Sequence, residues 1–218
     1  MLILLPPSEG KTDGERLNPQ WLQELSFGEQ LTPRRNLLID RMGIPLNTEP
    51  ISPAIDIFQG VLYKSLDYRS LSLPEQKKAN SHLLIFSGLF GAIRPLDEIP
   101  NHKHRMKSSD WSELLPQTLE GLESTLIVDC RSSTYSAVWK PDPQITVGIR
   151  VFQEISGKLS VITHMSKKYR GELTRKLLEG PYPKTPEELQ LIASETFSTQ
   201  LNQPTRGKPW YLDLMIEA

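Results

Sequence analysis

The sequence lacks the features that disulfide-bonded, membrane-spanning and secreted proteins require. Cys130 is the single cysteine among 218 residues, so no intrachain disulfide is possible and a reducing compartment is expected. No apolar run approaches the length that crosses a membrane. The short apolar run at residues 1–5 has no basic segment before it and stops at two prolines. We therefore interpret it as a strand rather than a signal peptide and expect a cytoplasmic protein.

An excess of charge of one sign is also missing. The chain has 25 Lys and Arg against 26 Asp and Glu, for a formal net charge of −1. It is therefore not a polycation, and binding of nucleic acid would require an uneven placement of its cations.

Motifs for a metal or a cofactor are absent too. Residues 8–12 resemble a phosphate-binding loop only superficially, because the glycine spacing of a Walker motif is missing. His102 and His104 are close in sequence, with Cys130 and His164 elsewhere, but this spacing fits no standard metal site and the neighbours are cationic. We predict neither a metal nor a cofactor.

What is present is an interleaved pattern of strands and helices. Short apolar or alternating runs predict strands at residues 1–5, 83–86, 125–128, 145–153, 158–163 and 210–216. Periodicity and capping residues predict helices at residues 19–25, 30–42, 52–57, 71–81, 110–122, 132–139, 166–178 and 186–197. Residues 58–63 are predicted as a turn. Without repeats or long linkers, the pattern predicts one α/β domain over residues 1–218, with a mixed β-sheet flanked by helices.

The stretch at residues 83–107 carries the strongest functional signal. A buried strand delivers Ser87 and Gly88, and glycines there let backbone N–H groups approach an anion. Arg94 precedes a proline, which favours a shaped loop over a helix. Two carboxylates follow at Asp97 and Glu98, and then a cationic cluster at residues 102–107. An ordinary surface loop with solvated charges is the alternative interpretation.

Polar clusters follow four predicted strands, at residues 8–12, 87–107, 129–135 and 164–175. Because the carboxyl ends of parallel strands meet at one edge of a sheet, we predict a positively charged cleft there that binds phosphate. For residues 132–135 helix capping is the alternative, and for residues 167–176 a solvated basic face. The candidate phosphate-binding residues are Lys11, Ser87, Gly88, Arg94, Lys103, Arg105, Lys107, Arg131, Ser132, Lys167, Lys168 and Arg170.

Five blocks of the sequence occur in a recognisable order: PPSEGKT at 6–12, FQGVLY at 58–63, SGLFGAIRPLDEIP at 87–100, SSTY at 132–135 and SKKYRG at 166–171. In this order they resemble the blocks of the YaaA peroxide stress protein family. The resemblance implies a cytosolic α/β protein with a positively charged cleft that binds DNA, with a helix-hairpin-helix-like element. It also implies a role in protecting DNA and limiting reactive intracellular iron under peroxide stress.

Two glutamates of that family are missing here. Its central block usually continues Tyr-Arg-Leu-Glu-Met, where this chain has HKHRM at 102–106. Its later block usually carries a glutamate before the tyrosine, where this chain has Thr134. These departures favour binding over catalysis, or mark a diverged branch with a more basic cleft.

Two functions therefore stay open. The first is a DNA-binding stress protein that contacts the phosphate backbone with little sequence specificity. The alternative is an enzyme acting on a nucleotide or a nucleic-acid base, with Asp97, Glu9 or Asp129 as the general base. The sequence does not indicate an oligomeric state.

Overall fold

The computed structural model describes residues 1–43, 48–122, 124–155, 158–162 and 165–216. Within these ranges the strands are β1 (Leu2–Leu5), β2 (Ile51–Pro53), β3 (Leu83–Ser87), β4 (Gly91–Ile93), β5 (Glu98–Pro100), β6 (Ile127–Asp129), β7 (Thr146–Ile155), β8 (Lys158–Val161), β9 (Ser198–Asn202) and β10 (Trp210–Ile216). The helices are α1 (Trp21–Glu24), α2 (Gly28–Met42), α3 (Ala54–Ile57), α4 (Val61–Leu66), α5 (Leu73–His82), α6 (Ser108–Trp111), α7 (Leu114–Leu119), α8 (Ser133–Ser136), α9 (Ser166–Glu179) and α10 (Pro186–Ser194).

One mixed sheet organises the fold. Its strand order is β4-β3-β1-β6-β7-β10-β9, and β8 pairs with the far part of β7. The five strands β3, β1, β6, β7 and β10 are parallel, whereas β4, β8 and β9 are antiparallel to their neighbours. A small antiparallel pair, β2 with β5, lies apart from this sheet. The predicted α/β class with a mixed sheet flanked by helices is confirmed.

The central strands form because their residues are apolar on both faces. All four residues of β1 and all five of β3 are buried. Parallel strands in the middle of a sheet are covered by helices on both sides, and continuous apolar runs are typical of them. The register places Leu5 opposite Ile85 and Leu4 opposite Asp129, so β3, β1 and β6 end at nearly the same level.

Several predicted boundaries differ from the structure. Residues 58–63 were predicted as a turn, which is wrong from Val61 onward, because α4 buries Leu62, Tyr63 and Leu66 on one side of a helix too short to show periodicity. The single helix predicted at 110–122 is two short helices, since Pro116 has no N–H for the interior of a continuous helix. The predicted turn at 156–157 lies outside the described residues.

A buried polar network joins α2 to β4 and β5. Arg35 is fully buried and donates hydrogen bonds to the carbonyls of Phe90 and Ala92, each at 3.0 Å. Burial lowers the pKa of Arg35 to about 10, against the opposing effect of the Asp97 charge. The Asp97 carboxylate accepts bonds from the Ser26 hydroxyl at 2.8 Å, the Ser26 N–H at 3.1 Å and the Arg94 N–H at 2.9 Å. Asp97 therefore holds the α1–α2 connection against the β4–β5 turn.

Replacing Asp97 tests this network. Asp97→Ala leaves three donors without an acceptor in a largely buried place, so we expect a loss of about 2–4 kcal/mol in the free energy of unfolding. Urea denaturation measures it. The matched control is Glu98→Gln, which removes an exposed ion pair with Arg16 and should cost less than about 1 kcal/mol. Equal stability of Asp97→Ala and the unchanged protein would contradict the assignment.

Cys130 directly follows β6 and is fully buried. Burial raises the pKa of its thiol to about 12, and the neighbouring Arg170 lowers it by less. We expect the folded protein to react with a thiol reagent at pH 8 at least about 100-fold more slowly than the urea-unfolded chain. The absorbance of the released thiolate of Ellman's reagent measures both rates. Similar rates in the two states would show that the cysteine is accessible.

Candidate functional site

The carboxyl ends of β3, β1 and β6 lie side by side. We call this place, with the residues that follow each strand (6–11, 88 and 130–132), the carboxyl edge. The Cys130 N–H donates to the Leu4 carbonyl at 2.9 Å, which fixes the loop after β6 beside the end of β1. Three of the four predicted polar clusters therefore begin at the same edge.

Residues 101–107 cross this edge directly over Gly88. A Cβ atom on Gly88 would lie 2.5 Å from the carbonyl carbon of Arg105, and the indole N–H of Trp111 donates to the Gly88 carbonyl at 2.7 Å. His102 Nε2 lies 3.1 Å from the Ser87 hydroxyl, one residue earlier on β3. Only glycine leaves room for this crossing, so Gly88 positions the segment rather than merely bending the chain.

Burial alternates along this segment as it does in an extended chain. His102 and Met106 are buried, whereas Lys103, Arg105 and Lys107 are exposed. No side chain in the described ranges forms a hydrogen bond or ion pair with these three cations, which we call the cation row. Alternate residues of an extended chain are about 6.7 Å apart. The row therefore presents three solvated charges in succession along the edge.

The loop after β1 brings Lys11 and Glu9 to the same edge. Lys11 is half-buried, and its ammonium lies 5.7 Å from the centre of the Phe58 ring. Burial lowers the pKa of Lys11, and the nearby Glu9 carboxylate raises it by less. Burial also lowers the pKa of His102 to about 3, with smaller contributions from the charges of Lys11 and His104. His102 is therefore a neutral imidazole within electrostatic range of the Lys11 cation.

Helix α4 and the two residues before it pack against this loop. The backbone of Gly60 packs so closely on Ser8 that a Cβ atom there would collide with the Ser8 hydroxyl. The buried Tyr63 hydroxyl donates to the Pro6 carbonyl at 2.8 Å. The Gln59 N–H donates to the Gly10 carbonyl at 2.8 Å. These contacts fix the backbone of the loop that carries Glu9 and Lys11.

Tyr135 on α8 lies at the same edge, in the part of the chain that follows β6. Burial raises the pKa of its phenol, the Glu9 carboxylate raises it further, and the Arg105 cation opposes both. Tyr135 therefore lies within electrostatic range of Glu9 and Arg105. The loop after β1, the 101–107 segment and α8 therefore lie at the same edge of the sheet, with Glu9 and Arg105 within electrostatic range of Tyr135.

The first turns of α9 also reach this edge. Arg170 donates to the Ile149 carbonyl at 2.8 Å and to the Cys130 carbonyl at 3.3 Å. Gly171 packs directly against the Leu62 carbonyl of α4. Lys167 is exposed one turn earlier, and Lys168 lies 3.7 Å from Glu172. Residue 164, the first of this predicted cluster, lies outside the described residues, as does residue 163 at the end of the predicted strand before it.

Arg131 and Asp129 hold the edge together. Arg131 forms two hydrogen bonds to the Asp129 carboxylate, at 2.9 and 2.8 Å, and donates to the carbonyls of Tyr135 and Trp139. Its guanidinium lies 4.4 Å from the centre of the Phe86 ring, and its side chain is not exposed at all. Ser132 lies just before α8, and its side chain makes no capping bond.

Arg94 and Asp97 lie at the other end of the sheet. Arg94 donates to the carbonyls of Ser81 and Leu83, at 2.7 and 3.3 Å. Leu83 begins β3, so Arg94 is about 13 Å along the strand from Ser87. The structure does not bring Arg94 and Asp97 to the edge where Lys11 and the cation row lie.

Sequence reasoning did not identify Tyr135 as a site residue or the bond between His102 and Ser87. A signal for the second of these was present in the sequence. Over residues 102–107, cationic residues alternate with apolar or neutral ones, and such a period of two indicates an extended segment with one face buried.

Two features are absent from the described ranges. No helix there is long and apolar enough to cross a membrane. In the same ranges, no three His, Cys, Asp or Glu side chains lie close enough together to hold a metal ion.

Comparison with known proteins places the chain in a family. A model of the family described as peroxide stress protein YaaA matches residues 29–203. A UPF0246 protein of Streptomyces coelicolor is 31% identical over 258 aligned positions, covering 99% of this chain and 98% of that protein. A UPF0246 protein of Corynebacterium glutamicum is 32% identical over 230 positions, covering 88% and 91%. The family match covers more than half of the chain, so the chain belongs to the YaaA peroxide stress protein family.

Proposed function

We propose that this protein binds DNA through its phosphate backbone as part of a peroxide stress response in the cytoplasm. The observation that carries the proposal is the cation row, because its three cations have no anionic partner among the described residues. Such cations release condensed counterions when they neutralise phosphates, which is the main source of sequence-independent affinity.

The surroundings of the row support the same proposal. Lys11 is in the loop that follows β1, and Lys167 is in the first turn of α9, whose Arg170 reaches the edge. Arg170 is already bonded to two backbone carbonyls, so it positions α9 rather than offering a free charge. Contacts from lysine and arginine to phosphate carry no sequence information, and we expect weak sequence specificity.

We extend the proposal to the biological role through the family. A protein that covers the DNA backbone during peroxide stress would protect it from damage, and the resemblance adds a role in limiting reactive intracellular iron. Neither role depends on a metal site in this chain.

The alternative function is an enzyme acting on a nucleotide or a nucleic-acid base. Glu9 favours it, because its exposed carboxylate makes no hydrogen bond or ion pair with a described residue. The other two candidate bases are occupied, since Asp97 accepts three hydrogen bonds and Asp129 accepts the Arg131 guanidinium. Glu9 is therefore the general base we propose for that alternative.

Neutralising the cation row tests DNA binding. The triple variant Lys103→Gln, Arg105→Gln, Lys107→Gln should lower the slope of log affinity against log salt by up to about 3, since each phosphate contact contributes about 0.9. Fluorescence anisotropy of a labelled duplex, measured over a salt series, gives the slope.

A matched control carries the same charge change elsewhere. Lys184, Arg206 and Lys208 are exposed. Lys208 lies just before β10, and the Trp210 indole at the start of β10 donates to the Gln144 carbonyl, so Lys208 is at the amino ends of the strands. Changing these three to glutamine should leave the slope within about 0.5 of the unchanged protein. Equal slopes for the two triple variants, or affinity that does not change with salt, would overturn the proposal.

A further inference from the structure

We propose that β9, an outer strand of the sheet, pairs with β9 of a second copy of this chain. The two copies form a dimer with one continuous sheet around a two-fold axis at Gln200. This surface is separate from the carboxyl edge, since β9 is three strands beyond β6 in the sheet order. The association needs no DNA, so it holds or fails independently of the proposed function.

One side of β9 has no partner strand among the described residues. β9 lies at the end of the strand order and pairs with β10 over Ser198–Asn202. No backbone hydrogen bond joins these residues to a described segment other than β10. Successive residues of a strand direct their backbone groups alternately to its two sides, so part of the β9 backbone faces away from β10. Such a row of N–H and C=O groups is a template for another strand.

The composition of β9 does not prevent this pairing. Exposed edge strands are usually protected by a lysine, a proline, a bulge or a covering element. Residues 198–202 carry no charge and no proline, and their pairing with β10 is continuous, without a bulge. At the opposite end of the sheet, β4 is short and all its residues are buried. Pairing through β9 therefore closes at two copies.

Symmetry fixes the register of the two strands. A two-fold axis perpendicular to the sheet turns each face of the sheet onto itself, and residues directly opposite each other have side chains on the same face. The axis must therefore pass through a residue. Only the register centred on Gln200 pairs the whole strand, with Ser198 opposite Asn202 and Thr199 opposite Leu201. It forms about four to six intermolecular hydrogen bonds.

The two ends of β9 carry opposite charges, which favours antiparallel pairing with a second copy. Glu195 precedes the strand, and its side chain is 67% exposed although it contacts Lys176 at 2.9 Å. Arg206 follows the strand, is exposed and forms no ion pair with a described residue. In the register centred on Gln200, Glu195 of one copy lies near Arg206 of the other. A parallel pairing would bring like charges together instead.

Apolar surface lies beside the unpaired side of β9. The Ser194 and Thr199 hydroxyl oxygens are 2.6 Å apart, so the end of α10 lies on the face of β9 that carries Thr199 and Leu201. Leu191 is one turn before Ser194 on the same side of α10 and is 70% exposed. The second copy would cover this leucine, because its own Leu201 lies opposite Thr199.

The interface is small, and its size sets the expected affinity. One strand edge and one exposed leucine from each copy give less than the roughly 800 Å² per partner of stable complexes. We therefore expect a dissociation constant of about 10–100 µM. Sedimentation velocity of the full chain between about 5 and 500 µM measures it, as growth from the 24.8 kDa monomer to twice that mass.

Two charge variants identify the partner as a second copy. Gln200→Lys places like charges opposite each other at the axis, and so does Gln200→Glu, so each variant alone should dimerise at least about tenfold more weakly. An equimolar mixture of the two variants should regain at least the affinity of the unchanged protein, because opposite charges then face each other. Recovery in the mixture also shows that both variants are folded.

Gln117→Lys is the matched control. It makes the same charge change at an exposed residue of α7 and should leave the dissociation constant within about twofold. A protein that stays monomeric at about 500 µM would overturn the proposal. Equal association of Gln200→Lys and Gln117→Lys, a mixture that does not associate, or growth beyond a dimer would overturn it too.

Discussion

The crossing of residues 101–107 over Gly88 is the contact on which the rest of the site depends. Any side chain at position 88 would collide with the backbone of Arg105, so the segment can lie against the end of β3 only because a glycine stands there. The bond between His102 and Ser87 and the burial of Met106 hold the segment in place. The free cations are thereby fixed at the edge where β1 and β6 also end.

Exposure, rather than the number of charges, separates the cations of the row from the structural ones. Arg131 and Arg170 satisfy carbonyl and carboxylate oxygens inside the protein, which suits the planar guanidinium with its fixed donors. Lys103, Arg105 and Lys107 have no such partners among the described residues. A chain with a net charge of −1 can nevertheless offer a locally basic surface, because the three cations of the row follow one another and form no ion pair with a described carboxylate.

The sequence predicted the parts of the fold that local pattern determines. The apolar runs in β1 and β3 marked buried parallel strands. The polar residues that follow these two strands lie at the same edge of the sheet. It did not predict where Arg94 lies. The three-residue strand β4 reverses the chain beside β3 and carries Arg94 back to the amino end. So short a strand has no pattern of its own, and it is held in place by its antiparallel ladder with β3 and by the Arg35 hydrogen bonds from α2.

Hydrogen–deuterium exchange with and without a DNA duplex tests the central claim most directly. The account predicts slower exchange on DNA binding in residues 101–107 and in the loop at 8–12, with no change around Lys184 or Lys208. Protection confined to the amino ends of the strands, or its absence from residues 101–107, would contradict the claim that this crossing forms the binding surface.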